Sequence, residues 1–284
     1  MGEYRRGNGT EQTGTASPLE IHALSGGRRR IGPVAVALWP SNDGARHVEI
    51  YEYACAKADS TESREAKLIL SDAKTVVITD KEAEICYDDS KITVSQSQIP
   101  KEESAKYNQL IIPKGKMSRL TLSDGTKVWV NANTRIVYPA EFTGKQREIY
   151  VDGEIFLDVV HDDRPFIART KGLNVEVMGT RFNVCAYDSR KLERVVLVEG
   201  SVQVADNTGG NKRVLEPKQM YEVAGGETRV EEVDVRKYAS WIEGLYYFDR
   251  ERLETVARLL SDYTESRSFA ARKRAGSPAP ANWT

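Results

Sequence analysis

Between Lys67 and about Val235, short runs of alternating apolar and polar residues follow one another at close spacing. The clearest are KLIL, KTVVIT, EICY, KITVSQ, QLIIP, SRLTL, KVWVNA, REIYVDG, EIFLDVV, PFIART, LNVEVMG, RFNVCAY, RVVLVEG, SVQVA, KRVLEP and MYEVA. They are rich in Val, Ile and Thr, and Gly, Asp, Asn and Pro separate them. Alternation with a period of two puts successive side chains on opposite faces, which is strand behaviour. Helical periodicity hardly interrupts the series. The pattern therefore predicts an all-β domain over residues 66–235, built as a sandwich, a jelly roll or a solenoid-like stack, and excludes a parallel α/β fold.

The stretch LTLSDGTKVWVNANTRIVYP, Leu120 to Pro139, shows the rule at work. Leu120, Leu122, Val128, Val130, Ala132, Ile136 and Tyr138 share one parity and hence one face. Thr121, Ser123, Lys127, Asn131, Asn133 and Arg135 fall on the other, with Trp129 among them. Asp124-Gly125 supplies the reversal, because Gly tolerates the positive φ that a tight hairpin demands. LSDAKTVVI, Leu70 to Ile78, echoes LSDGTKVWV, Leu122 to Val130, position by position, as two stacked hairpins built alike would.

Outside this region the patterning changes. Residues 1–65 are rich in Gly, Arg, Ser and Thr and read as a poorly ordered leader. Within it a short helix is expected around Val48–Lys57, where Ile50, Tyr53 and Ala54 share a face. Residues 236–265 read as the start of a small α/β module: a short strand at LYYF (Leu245–Phe248), Asp249 as N-cap, then an amphipathic helix. Its apolar stripe is Leu253, Val256, Ala257, Leu260 and Tyr263. Residues 266–284, rich in Ala, Arg, Ser and Pro, read as a disordered tail.

Composition narrows the functional classes. In 284 residues the charged fraction is 29% and the net charge −1, so the basic excess of a nucleic-acid binder is missing. Three dispersed cysteines (Cys55, Cys86, Cys185) and three histidines (His22, His47, His161) give neither a zinc cluster nor a disulfide framework. The apolar run VAVALW, Val34–Trp39, is far shorter than the roughly 20 residues of a membrane span.

No strong catalytic or cofactor motif occurs, and no cofactor is expected. The enzyme-like candidates are carboxylates near turns: Asp124, Asp152, Glu154, Asp158 and His161-Asp162-Asp163. Paired carboxylates serve glycoside cleavage, but Asx side chains at these positions also satisfy turn amides. Gly115, Asp124, Gly125, Gly153, Gly179 and Gly200 read as structural turn or bulge positions, with no helix N-terminus behind them to cradle a phosphate. Trp129, Tyr138, Phe142, Tyr150, Phe156 and Phe166 suit cross-strand core pairs, or else a carbohydrate-binding groove on a β-sandwich. The consecutive Tyr246, Tyr247 and Phe248 make both faces of the last strand aromatic, leaving one for a partner. Tyr246, Phe248, Leu253, Val256, Leu260 and Tyr263 are the candidate partner-binding residues.

Taken in order, IIPKGKMSRLTLSDGTKVWVNANTRIVYPAEF (Ile111–Phe142), REIYVDGEIFLDV (Arg147–Val159), PFIART (Pro165–Thr170), VMGTRFNVCAY (Val177–Tyr187), LVEGSVQV (Leu197–Val204), LEPKQMYEV (Leu215–Val223) and GLYYFDRERLETVARLLSDY (Gly244–Tyr263) resemble the FecR family of transmembrane anti-sigma regulators, in its Bacteroidetes branch. The resemblance covers roughly residues 67–263. It implies a periplasmic β domain, tethered to the inner membrane in the full-length family member, with a terminal βα module. It further implies two partners, the signalling domain of an outer-membrane TonB-dependent transporter and an extracytoplasmic-function sigma factor, and it implies neither catalysis nor a cofactor. Both ends depart from the family pattern: residues 1–65 lack the sigma-binding helices and membrane span, and the tail is unpatterned, as a frameshift, a truncation or a misplaced start would leave them.

Overall fold

The structure, a computed structural model, describes residues 48–57, 63–71, 73–101, 105–207, 210, 212–248, 252–253, 256–257 and 260–261. Asp249, Tyr263, most of the leader and the whole of the tail lie outside the described residues.

The first described element is a helix, α1 (Val48–Ala56), where the shared face of Ile50, Tyr53 and Ala54 predicts one. The strands then run between two sheets. The first sheet receives β1 (Ala66–Ser71) and β2 (Lys74–Ile78), and the second β3 (Glu82–Tyr87), β4 (Lys91–Val94) and β5 (Ser97–Pro100). β6 (Tyr107–Ile112) returns to the first, β7 (Met117–Thr121) and β8 (Lys127–Val130) form a hairpin in the second, and β9 (Thr134–Pro139) pairs with β6 in the first. After β10 (Arg147–Asp158) come hairpins in alternation. They are β11 (Phe166–Arg169) with β12 (Leu173–Val177), β13 (Arg181–Tyr187) with β14 (Leu192–Glu199), β15 (Val202–Asp206) with β16 (Arg213–Leu215), and β17 (Gln219–Ala224) with β18 (Glu227–Glu232).

The first sheet thus reads β2-β1-β6-β9-β10-β11-β12-β15-β16 and the second β5-β4-β3-β7-β8-β10-β13-β14-β17-β18. One core lies between them. Leu68, Ile136 and Val175 from the first sheet meet Ile85, Leu120, Val128 and Val184 from the second, all buried. Of the expected architectures, the two-layer sandwich is the one formed.

β10 belongs to both sheets. Tyr150–Asp152 pairs with β9 in the first, and Gly153–Asp158 pairs with β13 in the second. The change of sheet falls at Gly153, whose φ is +132° and where a Cβ would sit within 2.6 Å of Thr134 Cα. Only glycine fits that backbone and that approach.

The two echoing segments are both hairpins, but they lie in different sheets, β1–β2 in the first and β7–β8 in the second. Their turns differ as well: Ser71 pairs with Lys74 in one, whereas Thr121 pairs with Lys127 in the other. After β18 the chain forms a short helix, α2 (Arg236–Ala239), and a 3-10 turn, Ser240–Glu243. The strand expected at Leu245–Phe248 is not formed, and these residues run as irregular chain. Helical residues follow at Leu253, Val256–Ala257 and Leu260–Ser261.

Candidate functional site

Of the turn carboxylates, Asp124, Asp152, Glu154, Asp158 and Asp162 each have an engagement of their own. Asp124 accepts from Thr126 N (3.0 Å) and Thr126 Oγ1 (2.8 Å), closing an Asx turn in the β7–β8 hairpin. Its second oxygen also receives Arg147 Nη1 at 2.8 Å. Arg147 is wholly buried and donates further to the carbonyls of Val160 (2.9 Å) and Arg164 (2.9 Å), with its guanidinium 5.4 Å from the Phe166 ring. A buried cation needs this degree of satisfaction. Glu154 accepts from Asn131 Nδ2 (2.9 Å) and Asn183 Nδ2 (3.2 Å); burial pushes its carboxyl up and the two amides oppose that shift. Asp152 accepts from Asp188 N (3.3 Å), and burial raises it too. Asp158 faces Arg181 (3.8 Å), while Arg164 holds Asp162 well below the usual carboxylate range. Among the described residues no group of His, Cys, Asp and Glu is placed to hold a metal ion.

The remaining turn positions are ordinary connectors. Gly115, Gly125 and Gly200 take positive φ, and Gly179 packs against the His161 backbone. The aromatic candidates lie on different faces. Phe166 sits in the core beside Phe142 (5.9 Å), and Tyr138 in the core against Tyr87 (5.4 Å). Trp129 meets Phe156 (5.7 Å) on the outside of the second sheet, and Tyr150 is outside the first. They do not line one groove.

What the structure does bring together is an element docked on each outer face of the sandwich. On the first sheet, Ile50 and Ala54 of α1 bury against Val137 and Tyr150, flanked by Tyr51, Tyr53 and Tyr107. Tyr51 meets Tyr150 edge-on at 5.7 Å. Arg135, on β9, donates from Nη2 to the carbonyls of Ala54 (2.8 Å) and Lys57 (3.1 Å), and from Nε to Gln109 Oε1 (2.9 Å). Glu49 pairs with Lys106 at the other end of the helix.

On the second sheet, α2 packs over β13 and Trp241 is buried. The Arg194 guanidinium lies 5.1 Å from the Tyr238 ring and pairs with Glu222 (2.5 Å), which also takes Arg229 (2.6 Å). Asp234 accepts from Arg236 N (3.1 Å), and its bond to the Arg236 guanidinium holds its carboxyl down to about 2. Beyond the docked turn the apolar residues open outward. Leu245, Tyr247 and Phe248 are 50%, 47% and 41% exposed, and Leu253 is 84% exposed. Tyr246, Val256 and Leu260 are half-buried, and Tyr263 lies outside the described residues. Of the described candidate aromatics, Phe248 is exposed and Tyr246 is covered more than its neighbour Tyr247. The sequence pattern places Arg135 on the polar face of its strand and Arg194 at the head of the run RVVLVEG, without showing what either holds.

The family profile described as FecR protein matches residues 108–203, from β6 to β15. Two crystal structures of a proposed anti-sigma factor from Parabacteroides distasonis ATCC 8503 superpose with a TM-score of 0.52. They are 33% and 34% identical to this chain, and the match covers 55% of it and 74% of theirs. The chain belongs to the FecR family. No curated protein matches it. The FecR match includes β10 and both strands that flank it in each sheet, and so contains the crossing at Gly153. α1, α2 and the exposed apolar residues after them lie outside the matched span. No helix among the described residues is long and apolar enough to cross a membrane.

Proposed function

We propose that this chain is the sensor part of a FecR-type anti-sigma regulator. In this reading it sits in the periplasm, tethered to the inner membrane in the full-length protein. It receives a signal from the signalling domain of an outer-membrane TonB-dependent transporter and passes it to an extracytoplasmic-function sigma factor. The observation that carries the reading is the family match together with the likeness to a proposed anti-sigma factor over 74% of that chain. The residues fit a conformational part. Asp124 and Glu154 are tied into a turn and a buried network, while α1 docks over β9 and β10 on one face of the sandwich and α2 over β13 on the other.

Input enters at the C-terminal element, where Leu245, Tyr247, Phe248 and Leu253 present apolar surface beside the docked Trp241. A pull-down with the purified signalling domain of a TonB-dependent transporter from the same genome tests the point. The full chain is expected to retain it, and a chain ending at Val235 to lose it. Undiminished binding by the shortened chain overturns the C-terminal contact.

A further inference from the structure

α1 stands apart from the sandwich in three ways. Its apolar contacts form a small cluster of their own (Ile50, Ala54, Val137, Tyr150), separate from the main core between the sheets. It is nine residues long, below the roughly 12–15 at which a helix holds itself in water, so its helicity depends on being docked. Its two ends are pinned by side chains of the body. Lys106 takes Glu49 in the first turn, and Arg135 takes the carbonyls of Ala54 and Lys57 at the last. The helix has no basic residue in its own last turn, so Arg135 supplies the cation that the negative end of the helix dipole favours. The two pins differ in weight: Lys106 and Glu49 are both well exposed and screened by salt, whereas Arg135 is buried.

We infer that α1 is a strap that leaves and rejoins the outer face of the first sheet as a unit, with Arg135 as its catch. Leaving does not open the core, because no α1 residue belongs to it. Release and melting coincide, because a helix this short does not persist once undocked. Release bares Val137, Tyr150 and Tyr107 on β9, β10 and β6. The strap stands on its contacts alone, and only its use as the output of the sensor rests on the signalling role proposed above.

Hydrogen exchange on the full chain tests the strap without any signalling partner. In the wild type, amides of residues 48–57 are expected to exchange more slowly than in a free peptide but at least about tenfold faster than those of β9 and β10. Arg135→Gln is expected to raise exchange in 48–57 about tenfold or more and leave the strands of the second sheet as they were. Ala54→Glu alters only the strap and guards against damage to the body by the first change; it should reproduce the selective loss. If 48–57 is unprotected in the wild type, if Ala54→Glu leaves it protected, or if Ala54→Glu speeds exchange throughout the sandwich, the strap is overturned. The transporter pull-down reads a different event, so either result can fail while the other stands.

Discussion

At the scale of single residues, the decisive feature is how a fully buried charge is answered. Arg147 is the clearest case, with a carboxylate, backbone carbonyls and an aromatic face disposed around one guanidinium. Cysteine chemistry follows the same logic. Cys185 is buried on β13, and desolvation, with Glu154 as the second cause, pushes its thiol up to about 12. Cys55 is exposed on α1. An alkylating reagent at pH 8–9 is expected to modify Cys55 rapidly in the native protein and Cys185 only after denaturant is added, as peptide mass mapping would read. Prompt native labelling of Cys185 would contradict its burial. The sign for stability is fixed: the folded thiol keeps its proton above the ordinary value of 9.0 while the unfolded one loses it. This residue therefore contributes a loss of stability as pH rises from about 9 towards 12.

At the scale of elements, β10 carries the most constraint. Replacing Gly153 by Ala forces a Cβ onto Thr134 in a backbone region that L-residues rarely adopt. We expect Gly153→Ala to cost about 3 kcal/mol or more, as a denaturant midpoint shift would measure. A shift below about 1 kcal/mol would mean that β9 and β10 move apart easily. Much of this level was legible in the sequence. The parity of Leu120, Leu122, Val128, Val130, Ala132, Ile136 and Tyr138 names a face that is buried throughout. The opposite face was not legible: Asn131, Arg135 and Val137 are buried too, because alternation separates two faces without saying what covers the outer one. Nor does local pattern assign a hairpin to a sheet. Leu70–Ile78 and Leu122–Val130 look alike and lie in opposite layers, since that choice depends on distant partners such as β3 with β7. Leu245–Phe248 has the aromatic content of a strand, yet a strand also needs a partner, and these residues pair with no strand among the described residues. The candidate site was read in part. The pattern places Leu253 in a packed apolar stripe, yet it is exposed, and the docking of α1 and α2 depends on Arg135 and Arg194, which only the fold brings to those elements.

At the scale of the molecule, the sandwich is two halves set side by side. β1–β9 build one and β11–β18 the other, and among the described residues every strand pairing between the halves runs through β10. The outer margin at β18 is short and charged, with Glu227, Arg229, Glu231 and Glu232 all exposed, which discourages accidental pairing. The inner margins have no such guard. β8 and β9 carry Val128, Val130, Ile136 and Val137, and β10 is the strand that pairs with their far edges.

This gives the order of synthesis a consequence. A chain emerging from its N-terminus completes nine strands before β10 arrives, and for that interval it holds two uncapped, strongly apolar sheet edges at once. A fragment ending at Phe142 is therefore expected to self-associate, with light scattering rising with concentration. One extended through Glu232 should stay dispersed, because β10 has then paired with β8 and β9 and the second sheet ends at the charged β18. Equal dispersion of the two fragments would argue against the idea. The strand that joins the halves in the finished protein is also the one whose late arrival leaves the nascent chain most in need of a chaperone.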